Sequence, residues 1–306
     1  MANPPSRKVL GRINLYYWKH ENLGRGLVTG FGIFLAGLTL LMAGFLAVKG
    51  LSTFLVDHVS PLEFLFSTKW SPDADVPAFG ALIFIVGSIL ISTLALLIST
   101  PFSISTAMFV AEISPNLGRK VLQPAIEIFV GIPSVVYGWI GLSVLVPFIR
   151  RSFGGLGFSL LAGSLVLALM IFPTITSLAA DAFRALPTDF REASYALGAT
   201  RWQTVRKVLL PAAMPGILTG VVLGLARAFG EALAVQMVIG NMIRIPGKLT
   251  DATVNLTSII TMDMGNTATG TPWNDVLWSM ALLLLMISFL FILLARTTGQ
   301  KRRSLK

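Results

Sequence analysis

The 306-residue chain is 54% apolar and only 12% charged, with a mean hydropathy of +0.78. A soluble protein carries roughly twice that charged fraction, so the composition excludes an ordinary soluble domain and predicts a membrane protein. The sequence has no cysteine, which excludes disulfides, thiolate nucleophiles and cysteine-ligated zinc. The two histidines, His20 and His58, have no carboxylate at metal-ligand spacing, and neither is expected to be catalytic or metal-binding.

Apolar segments predict an all-α membrane protein with six transmembrane helices. The first segment, of about 22 residues, would form a helix of roughly 33 Å, longer than the core of a cleavable signal peptide. We therefore expect a spanning helix and no cleaved signal. The predicted spans are residues 27–48, 79–101, 122–149, 159–178, 217–239 and 276–294.

Two of these spans contain helix-breaking residues. The second meets Pro101, where the helix either ends or continues, kinked, to about residue 110. The third carries Gly131 and Pro133, which together predict a kink or a break within the span.

The distribution of positive charge predicts the orientation in the membrane. Most of the 24 lysines and arginines lie in alternate connecting segments and at the two ends of the chain, which places both termini in the cytoplasm. Only Arg150 and Arg151 depart from this rule. The net charge of +10 is therefore explained by topology, and no basic face interleaved with aromatic residues indicates nucleic-acid binding.

The cytoplasmic segment between the fourth and fifth spans is predicted to form two short helices joined at Gly198. For the first helix, Asp189 is the expected N-cap, because Glu192 follows three residues later in a capping-box pattern. The residues expected on its apolar face are Phe190, Ala193, Ser194 and Leu197.

The second short helix is predicted to start at Thr200, with Gln203 completing another capping box, and to be stopped by Pro211. The residues expected on one side of it are Trp202, Val205 and Leu209. Two interpretations of the pair stay open on physical grounds. It is either an amphipathic hairpin on the lipid surface or a docking element for a cytoplasmic partner.

Arg227 and Glu231 are the charged residues within the fifth predicted span, and at a spacing of four they are expected on one helix face. A cation at this depth costs roughly 2.5–3.5 kcal/mol, so it should face protein or water. The pair either holds helices together or lies on a substrate pathway, where the planar fork of Arg227 would suit an oxyanion. Thr219 is a possible neutral donor. Glu127 is another deep carboxylate, or else lies at the cytoplasmic interface.

One motif then favours docking. Glu192-Ala193-Ser194, Gly198 and the stretch 208–211 (VLLP) have the spacing of the EAA signature, and the segment resembles that of ABC importer permeases. Ser194 and Val208 replace the usual Ala and Ile. The resemblance implies that Glu192, Ala193, Ser194, Gly198, Arg201 and Trp202 couple the chain to an ATPase. The sequence contains no GxxxxGK[ST] phosphate loop, consistent with an ATPase on a separate polypeptide.

A narrower resemblance follows from residues 131–138 (GIPSVVYG), 192–220 and 227–241 (RAFGEALAVQMVIGN). These stretches look like the phosphate-specific (Pst-type) permeases, and residues 238–241 (VIGN), Ile245-Pro246 and 70–72 (WSP) look like their C-type subunit. One departure is Ala232, where the family usually has Thr.

This resemblance implies a type I (MetI-like) ABC importer permease for inorganic phosphate in the bacterial inner membrane, with Arg227 and Glu231 on the substrate pathway. The implied partners are a second homologous permease, a dimer of ATPase subunits that binds ATP and Mg, an extracytoplasmic phosphate-binding protein and membrane lipid. No cofactor is expected in this chain, and no enzymatic activity.

The domain boundaries follow: residues 1–25 form a cytoplasmic N-terminal segment, 26–50 the first span, 79–295 the core permease domain with its coupling loop at 184–215, and 296–306 a basic tail. Import of another oxyanion or polar solute is the alternative. A passive channel or a membrane enzyme is disfavoured, since a channel needs no coupling loop and an enzyme needs more convergent titratable residues.

Overall fold

A computed structural model describes the backbone of residues 7–301 and the side chains of residues 22–118 and 120–293. This part of the chain is mostly helical, which confirms the predicted all-α fold. Its α-helices are α1 (Arg7–Leu55), α2 (Pro61–Phe66), α3 (Leu82–Met108), α4 (Pro115–Leu117), α5 (Gln123–Gly131), α6 (Ser134–Ile140), α7 (Val146–Phe153), α8 (Leu160–Arg184), α9 (Asp189–Ala196), α10 (Arg201–Thr204), α11 (Leu210–Gly230), α12 (Leu233–Ile239), α13 (Leu256–Asp263) and α14 (Pro272–Lys301).

Short π-helical segments continue several of these helices, and two short strands complete the described structure. The π segments are Phe109–Ile113, Gly118–Leu122, Gly141–Leu145 and Val205–Leu209, and a 3-10 turn covers Met264–Asn266. Strand β1 (Trp70–Ser71) pairs antiparallel with β2 (Ala78–Phe79).

Contacts divide the chain into two units, Met1–Lys49 and Gly50–Lys306. Most of α1 forms the first unit. From residue 22 onward its side chains are mostly exposed and apolar, among them Phe31, Phe34 and Leu41. Exposed apolar side chains on this scale suit a helix that is surrounded by lipid.

Within the described residues, five helices are long and apolar enough to cross a membrane, and a sixth span is formed if one bent helix pair is counted as a unit. The five are Asn22–Leu55, Leu82–Ile113, Leu160–Arg184, Arg201–Gly230 and Pro272–Leu293. The second span therefore continues through Pro101, the second of the two outcomes left open above.

The bent pair corresponds to the third predicted span, and it confirms the expected break. Its halves, Pro115–Gly131 and Ser134–Phe153, meet at an angle of 94°. Ile132 between them is extended (φ −70°, ψ 127°), as expected for a residue that precedes proline.

Both predicted boundaries of the fifth span, residues 217 and 239, are wrong. One continuous helix runs from Arg201 to Gly230, so Pro211 does not stop the second hairpin helix. The N–H of Leu210 bonds to the carbonyl of Val205, five residues back, and Pro211 follows in the first turn of α11, where a missing N–H is tolerated. The helix then ends at Gly230, before the predicted boundary.

Helices α3, α8 and α11 form the centre of the larger unit, with α8 packed against both of the others. The contact between α3 and α8 depends on small residues: a Cβ atom on Gly163 would lie 2.5 Å from Cδ1 of Ile91. A hydroxyl also links the two helices, since Ser103 Oγ donates to the carbonyl of Phe172 at 3.2 Å. Close approach through small residues and interhelical hydroxyl bonds are both typical of helix packing in membranes.

Candidate functional site

Arg227 lies in the last turn of α11, and its side chain is half-buried. Its Nη1 donates a hydrogen bond of 2.9 Å to Oγ1 of Thr174 on α8. The phenol of Tyr137 on α6 is close enough to interact electrostatically with the guanidinium. Among the described side chains, a neutral hydroxyl rather than a carboxylate therefore holds this intramembrane cation.

The predicted placement of Glu231 on the same helix face as Arg227 is wrong. Glu231 is extended (φ −79°, ψ 119°), because α11 has already ended at Gly230. Its Oε1 accepts a hydrogen bond of 3.2 Å from the backbone N–H of Ala234 in the first turn of α12. The first N–H groups of a helix lack partners within the helix, so this carboxylate acts as a cap.

Two interrupted helices come together beside Arg227. Helix α6 follows the break at 132–133, α12 follows the break at 231–232, and the two pack against each other. A Cβ atom on Gly138 of α6 would lie only 2.9 Å from Cα of Ala234 on α12. Tyr137 spans the first break by donating to the carbonyl of Phe129 at 2.8 Å. Broken helices at membrane depth are tolerated where they are buried in protein or line a water-filled cavity.

Thr219 and Glu127, the other polar candidates, form hydrogen bonds with residues other than Arg227. The Thr219 hydroxyl donates to the carbonyl of Pro215 in its own helix at 3.0 Å. Glu127 is exposed and accepts a hydrogen bond of 3.3 Å from Gln123 Nε2. It lines a cavity of about 230 Å³ that also includes Arg184. The described residues contain no group of three or more His, Asp or Glu side chains that could hold a metal ion.

A larger cavity, of about 400 Å³, is lined by Asp57, His58 and Glu63 among others. Burial raises the pKa of Asp57 above its ordinary value, the nearby charge of Asp275 raises it further, and His58 lowers it. The Oδ2 atom of Asp57 is buried without a hydrogen-bond partner among the described residues.

The predicted hairpin between the fourth and fifth spans is present. Its first helix, α9, is preceded by Thr188 as the N-cap, so the expectation of Asp189 in that position is wrong by one residue, and no side-chain cap bond forms. Asp189 and Glu192 instead lie in the first turn, where carboxylates favour the positive end of the helix. The predicted apolar face is only partly correct, since Ser194 is buried but Leu197 is 88% exposed.

The second helix begins as predicted. Thr200 is its N-cap, and the capping box with Gln203 is complete in both directions. Trp202 does not share a face with Val205 and Leu209, because it is 56% exposed whereas both of them are buried. Gly198 joins the two helices at φ +77°, a conformation that favours glycine.

The six predicted coupling residues therefore divide into two groups. Glu192, Ala193, Gly198, Arg201 and Trp202 are exposed. Ser194 faces inward, and its Oγ is 2.9 Å from Oγ1 of Thr204 in the second helix. The guanidinium of Arg201 also bonds within the chain, to carbonyls at the end of the second span.

Sequence reasoning missed two residues that contact these sites. Thr174 gave no signal beyond following Pro173 in an apolar span. Glu112, whose carboxylate pairs with Arg191 of the hairpin, is an acidic residue at the C-terminal end of the second span. Its position opposite a basic loop was the only sign of this pairing, because 79 residues separate the partners.

The model of a family described as binding-protein-dependent transport system inner membrane component matches residues 99–304. The chain belongs to this family. It is thus a permease component of an ABC importer, a multi-pass protein of the inner membrane rather than an enzyme, which confirms the class of function inferred from the EAA-like segment.

Relatives of this permease cover most of its length. It is 56% identical over 284 residues to the probable ABC transporter permease protein YqgH of Bacillus subtilis, with 92% of each chain covered. It is 35% identical over 254 residues to the phosphate transport system permease protein PstC of Mesorhizobium japonicum, with 76% of this chain and 77% of that protein covered.

Solved structures share the fold of this permease. A bacterial alginate ABC transporter, in complex with an alginate pentasaccharide-bound periplasmic protein, gives a TM-score of 0.61 at 16% identity, with 95% of this chain and 98% of that chain covered. The inward-facing MetNI methionine ABC transporter gives a TM-score of 0.55 at 23% identity, with 70% and 92% covered. The predicted MetI-like fold is confirmed.

Proposed function

We propose that this permease carries inorganic phosphate across the membrane and that Arg227 meets the anion on the pathway. The observation that carries the proposal is the environment of Arg227. Among the described residues its hydrogen-bond partner is the neutral Thr174, so its charge is not cancelled by a bonded carboxylate. A half-buried intramembrane cation that is not bonded to an acid favours binding of an anion.

Thr174 extends this site. Its Oγ1 accepts from Arg227, and a hydroxyl that accepts one hydrogen bond can still donate its own proton. Guanidinium and hydroxyl together thus offer several donors to the oxygens of a tetrahedral oxyanion. Glu231 contributes less directly than expected: it stabilises the start of α12 beside the site.

The choice of phosphate rests on relatives. The resemblance to Pst-type permeases and the 35% identity to a protein named as a phosphate transport permease support it. The more similar relative YqgH has a name that states no substrate. Competition by sulfate and molybdate therefore belongs in the test.

In this proposal, the hairpin couples ATP hydrolysis on a separate chain to transport. Its exposed residues Glu192, Ala193, Gly198 and Trp202 would contact an ATPase subunit on a separate chain, which binds ATP and Mg. A second homologous permease would complete the pathway, and an extracytoplasmic phosphate-binding protein would deliver the anion. The ATPase drives transport only if its nucleotide states bind the outward-open and inward-open forms with different affinity.

The proposed orientation places the hairpin and both termini in the cytoplasm. Because the sequence has no cysteine, Trp202→Cys would be the only thiol in the chain. A membrane-impermeant thiol reagent should label it in inside-out vesicles and not in intact spheroplasts. Labelling in spheroplasts would contradict the orientation.

The test of the function is uptake of radiolabelled phosphate by cells that lack their own importers and express this permease with its partners. Arg227→Ala should abolish uptake while leaving assembly intact, whereas Arg151→Ala, the loss of an exposed arginine, should transport normally. Excess sulfate and molybdate should not compete. Normal uptake by Arg227→Ala would refute the role of that residue, and strong competition would point to another oxyanion.

A further inference from the structure

Arg191 connects the hairpin to two spanning helices. From the first turn of α9 its guanidinium reaches Glu112, at the inner end of the second span, with Nε 3.1 Å from Oε2 and Nη2 bonded to Oε1. Nη2 also donates to the carbonyl of Phe183 at 3.2 Å, in the last turn of the fourth span, and Nη1 donates to that of Leu186 at 3.3 Å, just after this span ends. The planar fork of arginine fixes all these partners at once.

Burial indicates that the Arg191–Glu112 pair persists. The Glu112 side chain is 8% exposed and that of Arg191 is 23% exposed. Hydrogen bonding to Glu112 raises the pKa of Arg191 above its ordinary value. Separating two charges with this little access to water would leave each of them poorly solvated, so movement of α9 without the second span is unfavourable.

The second hairpin helix also forms hydrogen bonds with the end of the second span. Arg201 Nη2 donates to the carbonyl of Ile113 at 2.8 Å and also to that of Glu112. These are terminal carbonyls of the helix Leu82–Ile113, which otherwise lack partners. Within the hairpin, the bond between Ser194 and Thr204 holds its two helices together.

We propose that Glu112, Arg191 and Arg201 form a clamp that makes the second span move with the hairpin during the transport cycle. The inference rests on the proposed docking of an ATPase at the hairpin. Glu112 is then a positioning residue. It contacts neither the ATPase nor the substrate, yet it passes a displacement of the exposed hairpin face to α3, which packs along α8 in the core.

The test uses the complete importer, reconstituted in vesicles, with phosphate uptake and ATP hydrolysis measured on the same sample. Glu112→Gln keeps the shape of the side chain but removes its charge. We expect it to assemble and to hydrolyse ATP, with phosphate imported per ATP reduced about tenfold, a typical size for coupling between sites. Arg191→Gln should reduce the ratio at least as much, because it also loses the bonds to the carbonyls of Phe183 and Leu186. The double variant should be no worse than Arg191→Gln alone, since both substitutions remove the same ion pair.

Asp181→Asn is the matched control, because it removes an exposed carboxylate at the same end of the bundle that does not contact the hairpin. It should leave the ratio unchanged. If the unaltered importer transports phosphate and Glu112→Gln imports as much per ATP, the clamp is refuted while the proposed function stands. If the unaltered importer shows no ATP-driven uptake, the proposed function itself fails.

A second measurement covers the case in which Glu112→Gln does not assemble. In the cysteine-free chain, spin labels at Leu197→Cys and Ser105→Cys report the distance between the exposed hairpin and the second span. The clamp requires the same distance with and without ATP. A distance that changes with nucleotide would overturn the proposal even if every variant folds.

Discussion

Substitution of Gly198 is the sharpest perturbation of the hairpin, because within this chain it changes a backbone angle and no side-chain contact. Gly198 has φ +77°, and a Cβ atom added there would meet nothing within 4 Å. Any effect of a larger residue on the hairpin itself therefore arises from the backbone conformation rather than from a clash within the chain. A graded series of residues should produce a graded effect.

The expected magnitudes follow from the cost of the left-handed conformation. Alanine costs about 1–2 kcal/mol there, whereas asparagine tolerates the conformation better. A penalty of this size changes the ratio of correctly to incorrectly formed hairpin by a factor of about 5–30. Proline cannot adopt the angle, since its ring holds φ near −65°, and it also removes the N–H that donates to the carbonyl of Tyr195 at 2.9 Å.

The assay is the amount of phosphate imported per ATP hydrolysed by the reconstituted importer. Coupling should fall in the order glycine, asparagine, alanine, proline, with Gly198→Pro uncoupled. Gly265→Ala is a suitable control, because a Cβ atom there also meets nothing and its φ is not positive. Equal coupling in Gly198→Pro and in the unaltered protein would refute the docking role of the hairpin.

Three further predictions concern other sites. Thr174→Val removes the hydroxyl that accepts from Arg227 and is proposed to donate to the anion. A hydrogen bond to a charged group contributes about 1.5–3 kcal/mol, so the KM for phosphate should rise about tenfold or more. An unchanged KM would exclude Thr174 from the site. Glu231→Gln retains a cap acceptor and should keep most uptake, whereas Glu231→Ala should lower it; equal uptake by both would argue against capping. Burial and Asp275 raise the pKa of Asp57, so its contribution to stability is greatest at low pH and is lost as pH rises through the raised pKa. The thermal midpoint of Asp57→Asn should therefore exceed that of the unaltered protein at neutral pH and approach it near about pH 4, and parallel curves would contradict this.

Features set by local sequence were predictable. Long apolar segments located the spans, Gly131 and Pro133 marked the break in the third, and the Thr200–Gln203 pattern located the start of the second hairpin helix. Each of these depends on neighbouring residues alone, because a capping box or a proline acts within one turn.

Features set by tertiary structure were not predictable. The break at Glu231 has no proline signal, and the continuous apolar pattern concealed it. Pro211 was expected to end a helix, but the π-helical turn before it carries the helix onward. The Arg191–Glu112 pair joins residues far apart in the sequence, and spacing within one sequence carries no information about such a contact.

The central claim is that this permease moves phosphate past Arg227 when an ATPase acts on the hairpin. Vesicles containing the complete importer, with ATP inside or withheld and binding protein outside, test it most directly. We predict phosphate accumulation that requires ATP and is absent in Arg227→Ala. Accumulation that persists without ATP, or that is as fast in Arg227→Ala as in the unaltered importer, would contradict it.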